Sequence, residues 1–328
     1  MPEITKESVH WLTIDEAGEG QRLDNFLIAR LKGVPKSRIY RLVRGGEVRV
    51  NSRRVESSYR LQHGDRVRIP PLRTARREVA GEAASPGAPV LEKFILYEDD
   101  ALIALAKPAG MAVHGGSGIS RGVVEQMRLE RPQAKFLELV HRLDKETSGI
   151  LLLAKKRAAL LALHALLREG GADKRYLVLV KGAWRDEKRH VKLPLHKFVA
   201  ESGERRVVVQ EGGQAAHTVF RLLQQWADFS LLEAELLTGR THQIRVHLAH
   251  LGYPIAGDDK YGDFALNKAL QKRGLRRMFL HAWRLLLPHP VSGETFELCA
   301  PLPQELRAFL DGLGAPLRSH EGTQAWLT

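Results

Sequence analysis

Residues 140–154 read VHRLDKETSGILLLA. A charged, polar run passes without interruption into the apolar segment Gly149–Ala154. That segment is strand-length and has no polar face, so it is expected to be a strand covered on both sides. Polar residues leading into such a strand stand at its mouth, where a cleft can form. Asp144 is therefore a candidate for a partly buried carboxylate with chemistry to perform. The same spacing suits an aspartate that caps a turn against Thr147 or Ser148. The stretch alone weighs the two equally.

Outward from this stretch the pattern is α+β. Phe94–Tyr97 and Leu102–Ala106 are short apolar strands around the turn Glu98-Asp99-Asp100, and Lys107–Gly110 is a turn. Val113-His114-Gly115-Gly116 opens a Gly-rich loop. Alternation recurs at Tyr176–Val180, Thr218–Leu222 and Leu231–Leu237, and helices are expected at Arg157–Glu169 and Thr241–Leu251. Strands in runs with few helices between them predict a mixed, largely antiparallel sheet flanked by helices. The phosphate-loop, dinucleotide, HExxH and GxSxG motifs are missing. Gly115-Gly116-Ser117-Gly118 lacks the Lys-Ser/Thr ending of a phosphate loop and reads as a turn. His242, His247 and His250 lie on or near one helix, so a metal pair is conceivable. No thiolate or carboxylate set completes it, and Arg240 and Arg245 disfavour a cation. No metal is expected, and these histidines are read as lying at the surface or facing a bound partner.

The N-terminal part differs in charge. The 328 residues hold 51 Lys/Arg and 38 Asp/Glu, a formal +13, and residues 20–73 carry +10 of it. A dense cationic face suits an anionic partner, and closely spaced phosphates reward it through counterion release. In this segment Leu23, Phe26, Leu27 and Leu31 share one helix face. Gly33-Val34 breaks that helix and Pro35 begins a second, in which Ile39, Leu42 and Val43 point inward. Lys36, Arg38, Arg41 and Arg44 then project from its other sides. Gly45-Gly46 ends it, and Val48–Asn51 is an alternating strand. Ser52-Arg53-Arg54 is a polar turn, and Val67-Arg68-Ile69 is another strand after Gly64-Asp65. Residues 74–92 read as a linker rich in Ala, Gly, Pro and charge. At about 150 residues per domain, the length predicts two domains. The single cysteine, Cys299, excludes an internal disulfide and fits a reducing, cytoplasmic setting. No apolar run approaches the roughly 18 residues of a membrane helix, and the N-terminus has no apolar signal region.

These motifs carry a resemblance. QRLDNFLIARLKGVPKSRIYRLVRGGEVRVNSRRV with its HGDRVRIP ending resembles an S4 RNA-binding domain. HRLDKETSG resembles the signature of the RluA-type pseudouridine synthase family. EDDALIALAKPAGMAVH, KRYLVLVKG, TGRTHQIRVHLAHLGYPIAGDDKYG and FLHAWRLLLPHPVSGE resemble further blocks of that family, in order. The resemblance implies an N-terminal extension (1–19), an S4-like domain (20–73), the linker (74–92), a synthase domain (93–312) and a C-terminal tail (313–328). The tail is expected to be poorly ordered after about Pro316.

The resemblance also implies an activity: isomerisation of uridine to pseudouridine in RNA, without cofactor or metal. It implies that Asp144 is catalytic, adding to C6 of the ring or to C1′, or removing the C2′ proton. Arg245 matches the family's basic partner of that aspartate. From the residues alone it reads as a helix-surface arginine. Tyr176 matches the tyrosine that stacks on the uracil and assists proton removal from C5. Arg142 matches the residue that enters the RNA stack as the target flips out. Ile244 and Leu280 are expected as pocket walls or as plain core. Lys36, Arg38, Arg41, Arg44, Arg53 and Arg54 are expected to contact RNA. The partner implied is large-subunit (23S) ribosomal RNA or its assembly intermediate, without membrane or DNA, and a monomer is expected. The alternatives are a tRNA substrate, or an RNA-binding assembly factor without catalysis. A hydrolase using Asp144 as nucleophile lacks an oxyanion or metal motif.

Overall fold

A computed structural model of the protein describes residues 9–15, 18–31, 34–72, 90–115, 121–201 and 204–319. Outside them lie residues 1–8, most of the expected linker (through residue 89), residues 116–120 of the Gly-rich segment, and 320–328. The chain divides into two compact units, Met1–Pro89 and Val90–Thr328.

The first unit contains β1 (His10–Thr13), α1 (Leu23–Arg30), α2 (Lys36–Arg44), β2 (Arg49–Val50) and β3 (Arg66–Ile69). Its sheet has the order β1-β3-β2, antiparallel throughout. The apolar helix positions bury as their spacing requires. Leu23, Leu27, Ile39 and Leu42 join Val50, Val67 and Ile69 in one core. One expectation is corrected here. Residues 1–19 are not wholly an extension, because β1 pairs with β3 and Ile14 is in the core. His10–Thr13 does not alternate, because its apolar residues Trp11 and Leu12 are adjacent, and the pairing with β3 fixes the strand.

The second unit contains β4 (Ile95–Glu98), β5 (Leu102–Lys107), α3 (Val123–Glu130), β6 (Glu138–Leu139), β7 (Ser148–Ala154) and α4 (Arg157–Glu169). Then come β8 (Asp173–Lys181), β9 (Lys188–Lys192), β10 (Leu195–Val199), β11 (Arg205–Val209), β12 (His217–Gln225) and β13 (Phe229–Leu236). The unit closes with α5 (Gln243–His250), α6 (Phe264–Lys272), β14 (Leu280–Pro288), β15 (Thr295–Cys299), α7 (Gln304–Asp311) and β16 (Arg318–Ser319). The main sheet runs β16-β12-β13-β8-β14-β7-β5-β4, with β15 on β14, β6 on β7 and β9 on β12. Only β14 with β7 is parallel; the remaining pairs are antiparallel. Strands β10 and β11 form a separate ribbon. Arg318–Ser319 pair with the outer edge of β12, and residues 320–328 of the expected tail lie outside the described residues.

Alternation decides which faces meet. Along β8, Tyr176, Val178 and Val180 share a core with Ile244 and Leu248 of α5. Leu177 and Leu179 face the other way, into a core with Phe279, Leu306 and Phe309. Strand β7 is buried along its whole length, as an apolar segment without a polar face should be. Among the described residues no helix is long and apolar enough to cross a membrane.

The β7–β14 junction holds a buried histidine. His281 Nε2–H donates to Ala300 O at 3.1 Å. Its Nδ1 accepts from Ser148 Oγ at 2.9 Å, and that oxygen accepts from Arg277 Nη2 at 2.7 Å. Burial pulls the imidazole down to about 4. Between pH 6.5 and 4 the unfolded chain therefore binds a proton that the folded chain refuses. Stability is retained above 6.5 and falls as pH drops through this window, by up to about 3 kcal/mol for this residue. The melting temperature is expected to drop between pH 7 and 4.5, and His281→Gln is expected to reduce that drop. Equal slopes for the two proteins would refute the assignment.

Candidate active site

The loop carrying the HRLD sequence joins β6 to β7, and its apolar residues anchor it. Val140 and Leu143 are buried, Arg142 is exposed, and the Asp144 side chain is 26% exposed. His141 Nε2 accepts the Leu152 N–H at 3.2 Å, tying the loop to β7. Lys107 pins its far side. This lysine is buried, and its Nζ donates to Pro108 O and Met111 O at 2.8 Å and to Lys145 O at 3.0 Å. Three carbonyls on three sides use all its hydrogens. The sequence reading saw a turn there and missed this post beneath Lys145. Gly149 allows the strand to seat. Its φ is +107°, and a Cβ there would lie 2.1 Å from Ala282 O on β14.

The turn-capping alternative for Asp144 can be judged geometrically. Thr147 N–H goes to the backbone carbonyl of Asp144 at 3.1 Å. The side chain is left to other partners, and Oδ2 accepts from Arg245 Nη1 at 3.0 Å. Arg245 is not at the helix surface. It is 6% exposed, and its Nε and Nη2 form a fork on Asp258 Oδ2 and Oδ1, both at 2.8 Å. Burial works against its charge, but the Asp258 and Asp144 carboxylates outweigh this and raise the guanidinium above its ordinary value. Burial likewise opposes the Asp258 anion. Arg245 and the Tyr261 and Lys260 N–H groups overcome that and hold it below the usual carboxylate range. The result is a continuous chain, Asp258–Arg245–Asp144, that fixes the near oxygen of Asp144.

Helix α5 is placed by Gln243. Its Oε1 accepts Arg240 N–H at 3.0 Å and Thr238 Oγ1–H at 2.7 Å. Its Nε2 donates to His217 O and Thr218 Oγ1. The three histidines separate. His247 is buried, between Thr218 Oγ1 and Leu193 O. His250 is exposed. His242 stands beside Asp144, with Nε2 3.8 Å from Oδ1. The surface reading is thus corrected for His247, which packing and two hydrogen bonds hold inside. Among the described residues no group of three or more His, Cys, Asp or Glu is placed to hold a metal.

Tyr176, Ile244, Leu280 and Leu143 share one apolar cluster. Burial, and then the charge of Asp144, push the Tyr176 phenol above its ordinary value, so it stays protonated. The second unit thus brings Asp144, Arg245, Tyr176, Ile244 and Leu280 together, with Arg142 exposed on the same loop. A carboxylate with one oxygen anchored, beside an apolar wall and a neutral aromatic ring, is equipped to attack or deprotonate a flat, weakly polar ring system. In the first unit Lys36, Arg41, Arg44, Arg53 and Arg54 are exposed and Arg38 is half-buried. None of the six makes an ion pair within the described residues. Sequence reasoning missed Lys107, Gln243 and Asp258; only a polar residue inside an otherwise apolar stretch marks Lys107.

Comparison with known proteins gives a consistent picture. The profile of a family described as RNA pseudouridylate synthase matches residues 101–250, and that of the S4 domain matches residues 21–67. The chain is 50% identical to "Ribosomal large subunit pseudouridine synthase C" of Pasteurella multocida, over 94% of this chain and 95% of that protein. It is 51% identical to the Escherichia coli protein of that name, over 92% and 95%. Among solved structures, "Human RNA Pseudouridylate Synthase Domain Containing 4" aligns with a TM-score of 0.56 and 28% identity. That alignment covers 68% of this chain and 94% of that one.

Proposed function

Because the chain belongs to the RNA pseudouridylate synthase family and carries an S4 domain, we propose that it converts specific uridines of large-subunit (23S) ribosomal RNA to pseudouridine. It is a pseudouridine synthase, hence an isomerase. The choice of ribosomal RNA rests on relatives named for the large ribosomal subunit. The assignment of chemistry to this site rests on one observation: Asp144 is the carboxylate held by the buried Arg245–Asp258 fork, close enough to Tyr176 for its charge to act on the phenol.

In the reaction the bond from C1′ to N1 breaks, the uracil turns, C1′ bonds to C5, and the C5 proton is replaced by one on N1. Nothing is oxidised and no group is consumed. Asp144 adds to C6 or to C1′, or removes the C2′ proton; the three routes share the same anchored carboxylate. Arg245 orients it. Tyr176 stacks on the uracil and assists proton removal from C5. Ile244 and Leu280 wall the pocket. Arg142 enters the RNA stack as the uridine flips, offsetting part of an unstacking cost of a few kcal/mol. The protein acts as a cytoplasmic monomer on ribosomal RNA or an assembly intermediate.

The test is incubation with unmodified large-subunit ribosomal RNA, with pseudouridines mapped by carbodiimide-blocked primer extension. Stops that require Asp144 support the proposal. Stops only on bulk tRNA would move the substrate, and tight binding without stops on either RNA would refute catalysis. The S4 face has its own test. Arg38→Ala with Arg41→Ala should reduce the salt dependence of RNA binding by up to about two units of slope. An unchanged slope would remove these two residues from the phosphate contact.

A further inference from the structure

The two oxygens of Asp144 meet different neighbours. Oδ2 is anchored by Arg245, and Oδ1 faces His242 Nε2 at 3.8 Å. His242 has φ +54°, a left-handed conformation that a residue other than glycine keeps only where its surroundings impose it. The other ring nitrogen has a partner that fixes the ring. Nδ1 lies 2.8 Å from the Tyr261 hydroxyl, and that oxygen already accepts the Val207 N–H at 3.0 Å. The hydroxyl hydrogen is therefore free to go to Nδ1. An imidazole that accepts at Nδ1 carries its hydrogen on Nε2. Burial holds His242 below its ordinary value, with Arg245 and Lys260 adding to it against the pull of Asp144 and Asp258. The ring is thus a neutral donor turned toward Asp144.

We infer that His242 is a positioning residue for Asp144, locked in its Nε2–H tautomer by Tyr261, whose hydroxyl is set by the Val207 amide on β11. The inference rests on the reading that Asp144 performs the chemistry. With Oδ2 tied and Nε2–H beside Oδ1, the carboxylate has one preferred rotamer. The separation of 3.8 Å is longer than a hydrogen bond, and catalytic hydrogen bonds commonly tighten only in the reacting complex. A lone pair at Nε2, as in the other tautomer, would face the carboxylate with like charge density instead.

The bland alternative is packing alone, since the His242 and Tyr261 rings meet edge to face at 5.5 Å. His242→Phe keeps a ring there without a donor, and His242→Gln supplies an amide N–H near the Nε2 position. On unmodified large-subunit ribosomal RNA, His242→Phe is expected to lower the single-turnover rate about 30-fold or more, with RNA affinity within about threefold. His242→Gln should recover most of that rate. Nitrogen-15 spectra of the full-length protein should show His242 as the Nε2–H tautomer, and Tyr261→Phe should release it to a mixture. A rate within twofold of wild type for His242→Phe, with Asp144→Asn inactive, would overturn the inference alone. So would an Nδ1–H tautomer in the wild-type protein. Turnover by Asp144→Asn would instead overturn the underlying reading, and the inference with it.

Discussion

Asp144→Asn is expected to abolish pseudouridine formation, lowering the rate by about 10³-fold or more, while RNA affinity stays within a few fold. An amide can neither add to carbon as a carboxylate does nor take the C2′ proton, so all three routes fail together. Its oxygen can still accept from Arg245, and Arg245 keeps its fork on Asp258. The fold and the RNA-binding surface should therefore survive. Near-wild-type product from this variant would end the assignment, and a large loss of RNA binding would show a structural role instead.

The second large effect is on stability. Asp258→Ala leaves the buried Arg245 cation without its main partner and strands two backbone N–H groups. Breaking a buried pair by removing one member costs about 3–5 kcal/mol. In a unit of this size that corresponds to a fall in melting temperature of roughly 8–15 °C. Replacing both members, R245M with D258L, removes charge and partner together and should cost much less stability than Asp258→Ala. The double variant should nonetheless be inactive, because Asp144 then loses the guanidinium that anchors its Oδ2. A melting temperature within about 2 °C of wild type for Asp258→Ala would show that the fork does not hold this region.

The strand Ser148–Ala154 and the helix Arg157–Glu169 were legible because each has a clean hydrophobic pattern. Asp144 was legible as a candidate because polar residues run straight into that strand, but local spacing could not separate chemistry from turn-capping. The separating contact comes from Arg245, distant in sequence. Arg245 itself looked like a surface residue because an arginine between Ile244 and Val246 carries no local sign of burial. In the fold, Gln243 to Leu248 are all buried, so the helix has no outer face there to reveal by periodicity. Asp258 and Asp259 are adjacent and identical in type, yet the Asp258 side chain is 1% exposed and that of Asp259 83%. Only the tertiary position of Arg245 tells them apart. The strands β9 to β11 were missed because their apolar residues do not track burial: only Val191, Leu195 and Val207 face inward, while Phe198, Val199 and Val208 are exposed.

Strand β14 has a consequence for biosynthesis. Among the described residues it is the latest long strand in chain order, yet it lies between β8 and β7 near the middle of the sheet. A nascent chain that ends before Leu280 holds β7 and β8 with their facing edges unfilled, both lined with apolar side chains. Such edges invite pairing with other chains. The sheet can close only after Leu280–Pro288 has been made, and the closure must join segments more than a hundred residues apart. Such non-local pairing favours slow folding. It also means that C-terminal truncations reaching into β14 would split the protein at its centre rather than trim its edge.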